Sequence, residues 1–202
     1  MRPRLPAPLV VGAGWLAGAV PFSQVAARVT RGVDLRDVGN GTVSGTALHE
    51  VAGFGPLAVA GVFEVGKGAV GPLLAGERKR LAALAGGVAV AGHDWSPLLG
   101  GAGGRGISPA VGALLVQAPA GAALLLGGMA VGKLLGETAV GSLVVDVVLV
   151  PVVAKVHGRD AGWAAAAVLA PMIVKRLAGN RPPPREGRAR VLLHRLLFDR
   201  DD

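Results

Sequence analysis

The stretch Gly92-His93-Asp94-Trp95-Ser96-Pro97-Leu98-Leu99-Gly100-Gly101-Ala102-Gly103-Gly104-Arg105-Gly106 sets an imidazole, a carboxylate and a guanidinium among glycines, between two long apolar runs. A loop without Cβ atoms can wrap an anion with backbone N–H groups while an arginine supplies charge. If Ile107 opens the next helix, its N-terminus adds the positive dipole end. The pattern alone fits a phosphate cradle or a flexible turn. A second glycine cluster, Gly39-Asn40-Gly41, lies close to Arg36. Glu64 and Lys67 sit three residues apart, on one helical face, inside a hydrophobic stretch. Ionisable groups at that depth are expensive, so the pair is either functional or a mutually neutralised structural pair.

His93 has three chemical options: general base, oxyanion donor or helix-cap hydrogen bonder. The chain has four histidines and no cysteine, which removes disulfides, thiolate catalysis and cysteine-ligated metals. No H-E-x-x-H helix, serine nucleophile elbow, Walker loop or dinucleotide unit is present. An H-x4-D pair occurs once, His194 to Asp199, in a short basic segment with no domain around it to hold a substrate. It reads as a chance match. Asp146, within Val144–Val148, must face a bundle interior or water.

The elements that would position these groups are apolar helices. The chain has 202 residues, is 51% hydrophobic and only 17% charged, and its charges cluster in patches between uncharged runs. That distribution belongs to an integral membrane protein. A net charge of +8 would suggest nucleic acid in a soluble chain, but three Trp, four Phe and no Tyr leave little for base stacking. Basic flanks beside apolar spans fit anionic lipid better. Pro8–Val29 is too long for a signal-peptide core, and Pro21-Phe22-Ser23 is no small-x-small cleavage site, so it reads as a first span. Further candidates are Ala47–Gly76, Leu81–Leu99, Ile107–Leu135 (divided at Pro119), Ala139–Val156 and Ala161–Leu177. The expected fold is an all-α membrane protein, a transmembrane helical bundle of seven helices with six as the alternative, some short or broken. Residues 1–178 form one transmembrane domain, and 179–202 a basic tail. Val191–Leu193 and Leu196–Phe198, alternating with Arg190, Arg195 and Arg200, fit an interfacial amphipathic helix there. From Lys175 onward eight Lys/Arg stand against four acids, which favours the cytoplasm. With seven spans the N-terminus is outside, and Arg28–Thr46, Gly100–Gly106 and Lys133–Thr138 share the tail's face. Glu77–Arg80 then lies outside with three positive charges, against the rule.

Three segments together resemble the bacterial integral-membrane acyl-phosphate:glycerol-3-phosphate acyltransferases. They are Gly18-Ala19-Val20-Pro21-Phe22-Ser23 with Gly32–Ala47, then Glu64-Val65-Gly66-Lys67-Gly68, then Gly92–Gly106. The likeness runs from about residue 14 to 180 with spacing retained. Departures are Asn40 for the family's Ser, Thr42 and Ala47 for two Asn, Ser44 for Gly, and Arg105 for Lys. Ala170 and Ile173 stand where a later motif has His and Asn. The resemblance implies acyl transfer from acyl phosphate to glycerol 3-phosphate, giving lysophosphatidic acid without metal or cofactor. It implies a multi-pass protein of the plasma (inner) membrane with its active-site loops cytoplasmic, meeting membrane lipids and no nucleic acid. Arg36, His93 and Arg105 become the catalytic candidates. Gly39, Asn40, Gly41, Thr46, Lys67, Gly103, Gly104 and Gly106 become the phosphate-binding ones. Arg36 and Arg105 are expected to take phosphate, and His93 to orient the loop. The departures keep a second reading open: a catalytically diverged relative acting in lipid binding or transport.

Overall fold

Pro21 cannot donate a backbone hydrogen bond, and it pushes the residue before it into extended backbone. The first apolar run accordingly breaks into α1 (Ala7–Ala19) and α2 (Phe22–Arg31), with Val20 at ψ 119° between them. In this computed structural model, which describes residues 5–183 and 186–200, the described residues form ten α-helices and two short 3-10 turns. Met1–Arg4, Pro184, Arg185, Asp201 and Asp202, which the sequence assigns to the domain's start and the tail, lie outside them. Gly32, at φ +68°, ends α2. A 3-10 turn at Leu35–Asp37 and a glycine loop then lead to α3 (Gly45–Ala52), whose first turn is capped by Ser44.

The second apolar stretch also divides. Gly53, at φ +80°, separates α3 from the long α4 (Phe54–Ala75). Next come α5 (Lys79–Asp94), α6 (Ile107–Gln117), α7 (Pro119–Leu134), α8 (Thr138–His157), α9 (Arg159–Ala178) and α10 (Arg188–Phe198). The expected division of Ile107–Leu135 is found at Ala118, where α6 gives way to α7. Four segments have the length and hydropathy to cross a membrane: Ala7–Arg31, α4, α8 and α9. The helices α5, α6 and α7 are shorter. At 1.5 Å per residue α6 spans only about 16 Å, well under a hydrocarbon core of about 30 Å.

Leu16, Val62, Val147 and Trp163 lie on the outside of the bundle, which is the arrangement of a lipid-facing surface. Inside, Leu114, Leu125, Leu149, Val153 and Val168 pack together. Lipid tails are as apolar as leucine, so membrane helices associate through close packing of small residues. Here α1 meets α5 with Gly14 and Gly18 against the backbone of Ala85 and Ala89. At the crossing of α4 and α6, Gly68 lies on the Pro109 carbonyl and Gly112 on the Val65 carbonyl. A methyl group at either position would force the helices apart.

At one end of the bundle Arg78 donates to the Leu5 carbonyl at 2.8 Å, and Lys79 approaches Asp160 at 3.8 Å. The glycine loops, the α7–α8 turn and α10 gather at the other end. α10 packs on α8 and α9, burying Val191 and Arg195 and leaving Leu193 and Phe198 outside.

Candidate active site

The break at Pro21 leaves unpaired carbonyls at the end of α1 and unpaired N–H groups at the start of α2. Glu64 and Lys67 on α4 use both. Glu64 Oε1 accepts from the Ser23 backbone N–H at 2.9 Å and from its hydroxyl at 3.1 Å. The Lys67 ammonium donates to the Val20 carbonyl at 2.6 Å, lies 2.6 Å from Glu64 Oε2, and meets His93 Nδ1 at 2.9 Å. A carbonyl, a carboxylate and an imidazole nitrogen thus surround the ammonium. Lys67 is 4% exposed and Glu64 3% exposed. A pair expected to be either functional or self-neutralising is therefore neutralised, and it also grips His93.

An ammonium has no acceptor, so Lys67 fixes Nδ1 of His93 as an acceptor, although Glu64 Oε2 also lies 3.2 Å away. The neutral ring then carries its proton on Nε2. That nitrogen points at the glycine loop: a Cβ on Gly104 would collide with it, and a Cβ on Gly103 would run into the carbonyls of His93 and Asp94. These two glycines are needed for close approach. The recess between loop and imidazole is lined by Pro21, Val43, Lys67, His93, Ser96, Gly103 and Gly104. Ser96 ties the loop down by donating to the Ala19 carbonyl at 2.6 Å, a further use of the α1 break.

One residue outside the expected set holds the loops together. Asn180, just past the end of α9, accepts from Gly103 N–H at 3.1 Å. Its amide nitrogen donates to the carbonyls of Gly41 and Gly103, both at 2.9 Å. Val43 N–H adds a direct bond to the Gly103 carbonyl at 3.1 Å. The Gly39–Gly41 loop, the Gly103–Gly106 loop and the exit from α9 thus form one platform.

Of the three expected phosphate cations, Arg36 and Arg105 lie on this platform, each held by a carboxylate, while Lys67 lies buried against Glu64 and His93. Arg36 stacks its Nε and Nη2 on Asp34 at 3.0 and 2.7 Å and reaches the Leu99 carbonyl with Nη1 at 3.4 Å. Arg28 pairs with the same carboxylate. Hydrogen bonding to the Arg36 guanidinium holds the Asp34 carboxyl well below the usual carboxylate range, so this clamp stays charged at neutral pH. The same contact raises Arg36. Arg105 is held by Asp199, at the end of α10, through Nε at 2.9 Å and Nη2 at 2.6 Å, while Nη1 donates to the Lys175 carbonyl at 3.3 Å. Asn40 turns its amide nitrogen to the Asp199 carbonyl at 3.2 Å and caps its own loop by accepting from Thr42 N–H at 3.1 Å. Gly106, at φ +74°, caps α6. The start of α6 already faces a resident carboxyl group, because a Cβ on Gly106 would stand 3.0 Å from Asp94 Oδ1.

Asp94 is fully buried, and neither of its oxygens has a hydrogen-bond partner among the described residues. Lys175, 1% exposed, lies near it with its ammonium 5.3 Å from the centre of the Trp95 ring. Of the other expected residues, Gly39 is exposed, Gly41 is buried in the platform, and Thr46 is exposed on the first turn of α3, away from the cluster. His194 does not join Asp199 in a dyad: its ring stands edge-on to Phe198. Asp146 faces the bundle, 3.9 Å from Arg176. Among the described residues no three His, Asp or Glu side chains converge as a metal site requires. Sequence reasoning missed Asn180, Asp199 and Lys175. The lone amide after Gly179 was the only signal available for the first.

A family model described as glycerol-3-phosphate acyltransferase matches residues 8–181. The glycerol-3-phosphate acyltransferase of Synechococcus sp. (strain CC9902) is 34% identical over 186 residues, which covers 86% of this chain and 93% of that protein. That of Parasynechococcus marenigrum (strain WH8102) is 40% identical over 114 residues, 55% of this chain. There the match spans about half the relative's length, 54%. In three dimensions the chain is similar to a crystal structure of PlsY (YgiH), an integral membrane glycerol 3-phosphate acyltransferase in its glycerol 3-phosphate form. The TM-score is 0.76 at 22% identity, covering 94% of this chain and 93% of that one. The lysophosphatidic acid form of PlsY gives 0.73 at 19% identity. At these identities the two structures show a shared fold.

Proposed function

The chain belongs to the glycerol-3-phosphate acyltransferase family, and from that premise we propose that it moves a fatty acyl group from acyl phosphate to the 1-hydroxyl of glycerol 3-phosphate. The hydroxyl oxygen forms the new ester bond, the acyl–phosphate C–O bond breaks, and the hydroxyl proton leaves with the departing phosphate. The products are lysophosphatidic acid and inorganic phosphate. The observation that carries this reading is the platform itself: two guanidiniums, two glycine loops and a histidine N–H assembled on one face of an apolar bundle. Both substrates bear phosphate, so two cationic subsites are what they need. Acyl phosphate is already activated, and catalysis can rest on positioning and charge stabilisation without a covalent enzyme intermediate.

In this reading Arg36 takes one phosphate and Arg105 the other, with the backbone N–H groups of Gly39, Gly41, Gly103, Gly104 and Gly106 around them. Asn40 supports the same loop, and Thr46 stands at its outer edge. Lys67 acts through His93, since a carbonyl, a carboxylate and the imidazole already surround its buried ammonium. His93, holding its proton on Nε2, faces the recess as a donor. The acyl chain has a matching groove of about 470 Å³ on the outer side of α4 and α6, lined by Gly61, Val62, Val65, Gly66, Ala69, Gly112 and Leu115. We place residues 1–178 in the plasma membrane as one domain. The platform then faces the cytoplasm, and 179–202 forms a tail at the headgroups.

One observation favours a diverged lipid-binding relative instead. Each candidate phosphate cation is already answered by a carboxylate of the chain, Asp34 or Asp199. An assay with purified protein in lipid, acyl phosphate and labelled glycerol 3-phosphate separates the two. Acyl transfer predicts labelled lysophosphatidate, lost on Arg36→Ala. Absence of product under conditions where a relative with complete motifs works would favour the diverged reading.

A further inference from the structure

We propose that the end of the C-terminal helix is an autoinhibitory strap: the Asp199 carboxylate occupies the Arg105 guanidinium that a substrate phosphate must take, so the site fills only as Asp199 and Arg200 swing away. This rests on reading Arg105 as a phosphate ligand. The geometry is that of a bound substrate anion. Asp199 meets Arg105 side-on: Oδ2 accepts from Nε at 2.9 Å, and Oδ1 lies 2.6 Å from Nη2 as a close ion contact of the kind a guanidinium makes with carboxylate or phosphate. With Nη1 on the Lys175 carbonyl, each nitrogen of the guanidinium is engaged. The same residue's carbonyl accepts from Asn40 Nδ2 at 3.2 Å, so a single tail residue covers a candidate from each glycine loop.

Three further features mark the contact as a removable addition to the site. The family model stops at residue 181, short of α10. Asp199 is the one non-glycine residue with positive φ among the described residues, at φ +54°. That left-handed turn at the end of α10 brings its carboxylate back over the loop. Beyond it, Arg200 fastens the end of the strap to Glu137 at 3.0 Å across the α7–α8 turn, through side chains 56% and 39% exposed. The inner part of α10 is held differently, by buried Arg195 on the carbonyls of Leu177 and Ala178 and by Arg176 on the carbonyls of Arg195 and Leu197. The anchored part stays with α9 while Asp199 and Arg200 swing. A phosphate monoester carries about −1.5 to −2 charge at neutral pH against −1 for the carboxylate, so it can displace Asp199 by competition.

The test uses the full chain in lipid nanodiscs and measures binding separately from turnover. Asp199→Asn keeps the side chain's shape and removes its charge. Arg200→Ala loosens the outer fastening without touching the platform. Asp199→Asn should tighten binding of glycerol 3-phosphate and of orthophosphate by roughly tenfold, the scale of one displaced charge-assisted contact. Arg200→Ala should shift both in the same direction by less. Because the chain contains no cysteine, spin labels at Arg200→Cys and Leu134→Cys report the strap directly, and their separation should lengthen when phosphate is added. Unchanged or weaker binding in Asp199→Asn, absence of phosphate binding in both proteins, or a strap that stays in place at saturating phosphate would overturn the proposal. If Asp199→Asn binds phosphate more tightly but neither protein makes lysophosphatidate, acyl transfer fails and the strap stands.

Discussion

Lys67 shows how a buried charge is made tolerable in an apolar bundle. Its ammonium has a carboxylate, a carbonyl and an imidazole nitrogen as partners, and Glu64 has a backbone N–H and a hydroxyl. Removing one member strands the other. Lys67→Met is therefore expected to destabilise the protein by about 3–5 kcal/mol, the cost of an uncompensated buried charge. The double variant Glu64→Gln/Lys67→Met should recover most of that loss, as read from thermal unfolding in detergent. Lys67→Met should also free His93 Nδ1 and release the imidazole from its fixed tautomer. The sequence indicates this pair through i,i+3 spacing inside a hydrophobic run. It does not indicate His93 as the third member, because α4 and α5 meet only in three dimensions. Asn180 and Asp199 were hidden for the same reason. A lone amide after a helix stop, and an acid in a basic tail, look like ordinary surface residues until the loops they hold are brought beside them.

The helix breaks were legible only in part. The division at Ala118–Pro119 follows from the sequence, whereas Pro8–Val29 and Ala47–Gly76 read there as single spans and the structure breaks them at Pro21 and Gly53. The shortness of α6 follows from that division at Ala118–Pro119, with Gln117 the polar residue that marks the turn at Ala118. Glycine roles also separate only in the structure. Gly112 is pressed on the Val65 carbonyl, whereas Gly66, one face away on α4, has nothing within 4 Å of its missing Cβ. Gly112→Leu should prise α4 from α6 and lower the unfolding temperature sharply. Gly66→Leu should leave that temperature unchanged and fill the groove, so that transfer of long acyl chains falls while short ones are still used. Competition assays with acyl phosphates of graded length read the difference.

Across the whole molecule the charges divide by face. Arg28, Arg31, Arg36, Lys133, Arg181, Arg188, Arg190 and Arg200 are exposed at the platform end, and Lys79, Arg80, Lys155 and Arg159 at the other. The excess favours a cytoplasmic platform despite the Arg78–Arg80 patch. Single cysteines in this cysteine-free chain test it with an impermeant maleimide on whole cells. Arg80→Cys should label at once, and Arg31→Cys and Arg190→Cys only after permeabilisation. The opposite pattern would invert the topology.

The Asn180 amide joins loops that precede it by 77 and 139 residues. During synthesis the Gly39–Gly41 and Gly103–Gly106 loops reach the membrane surface long before the residue that unites them, which follows the last long span. The nascent chain thus carries its two glycine loops through insertion separately, and α9 must be threaded before Asn180 can join them. Assembly of the platform is thereby coupled to completed topology: a chain arrested or misinserted before α9 would be a membrane protein whose two glycine loops are never joined.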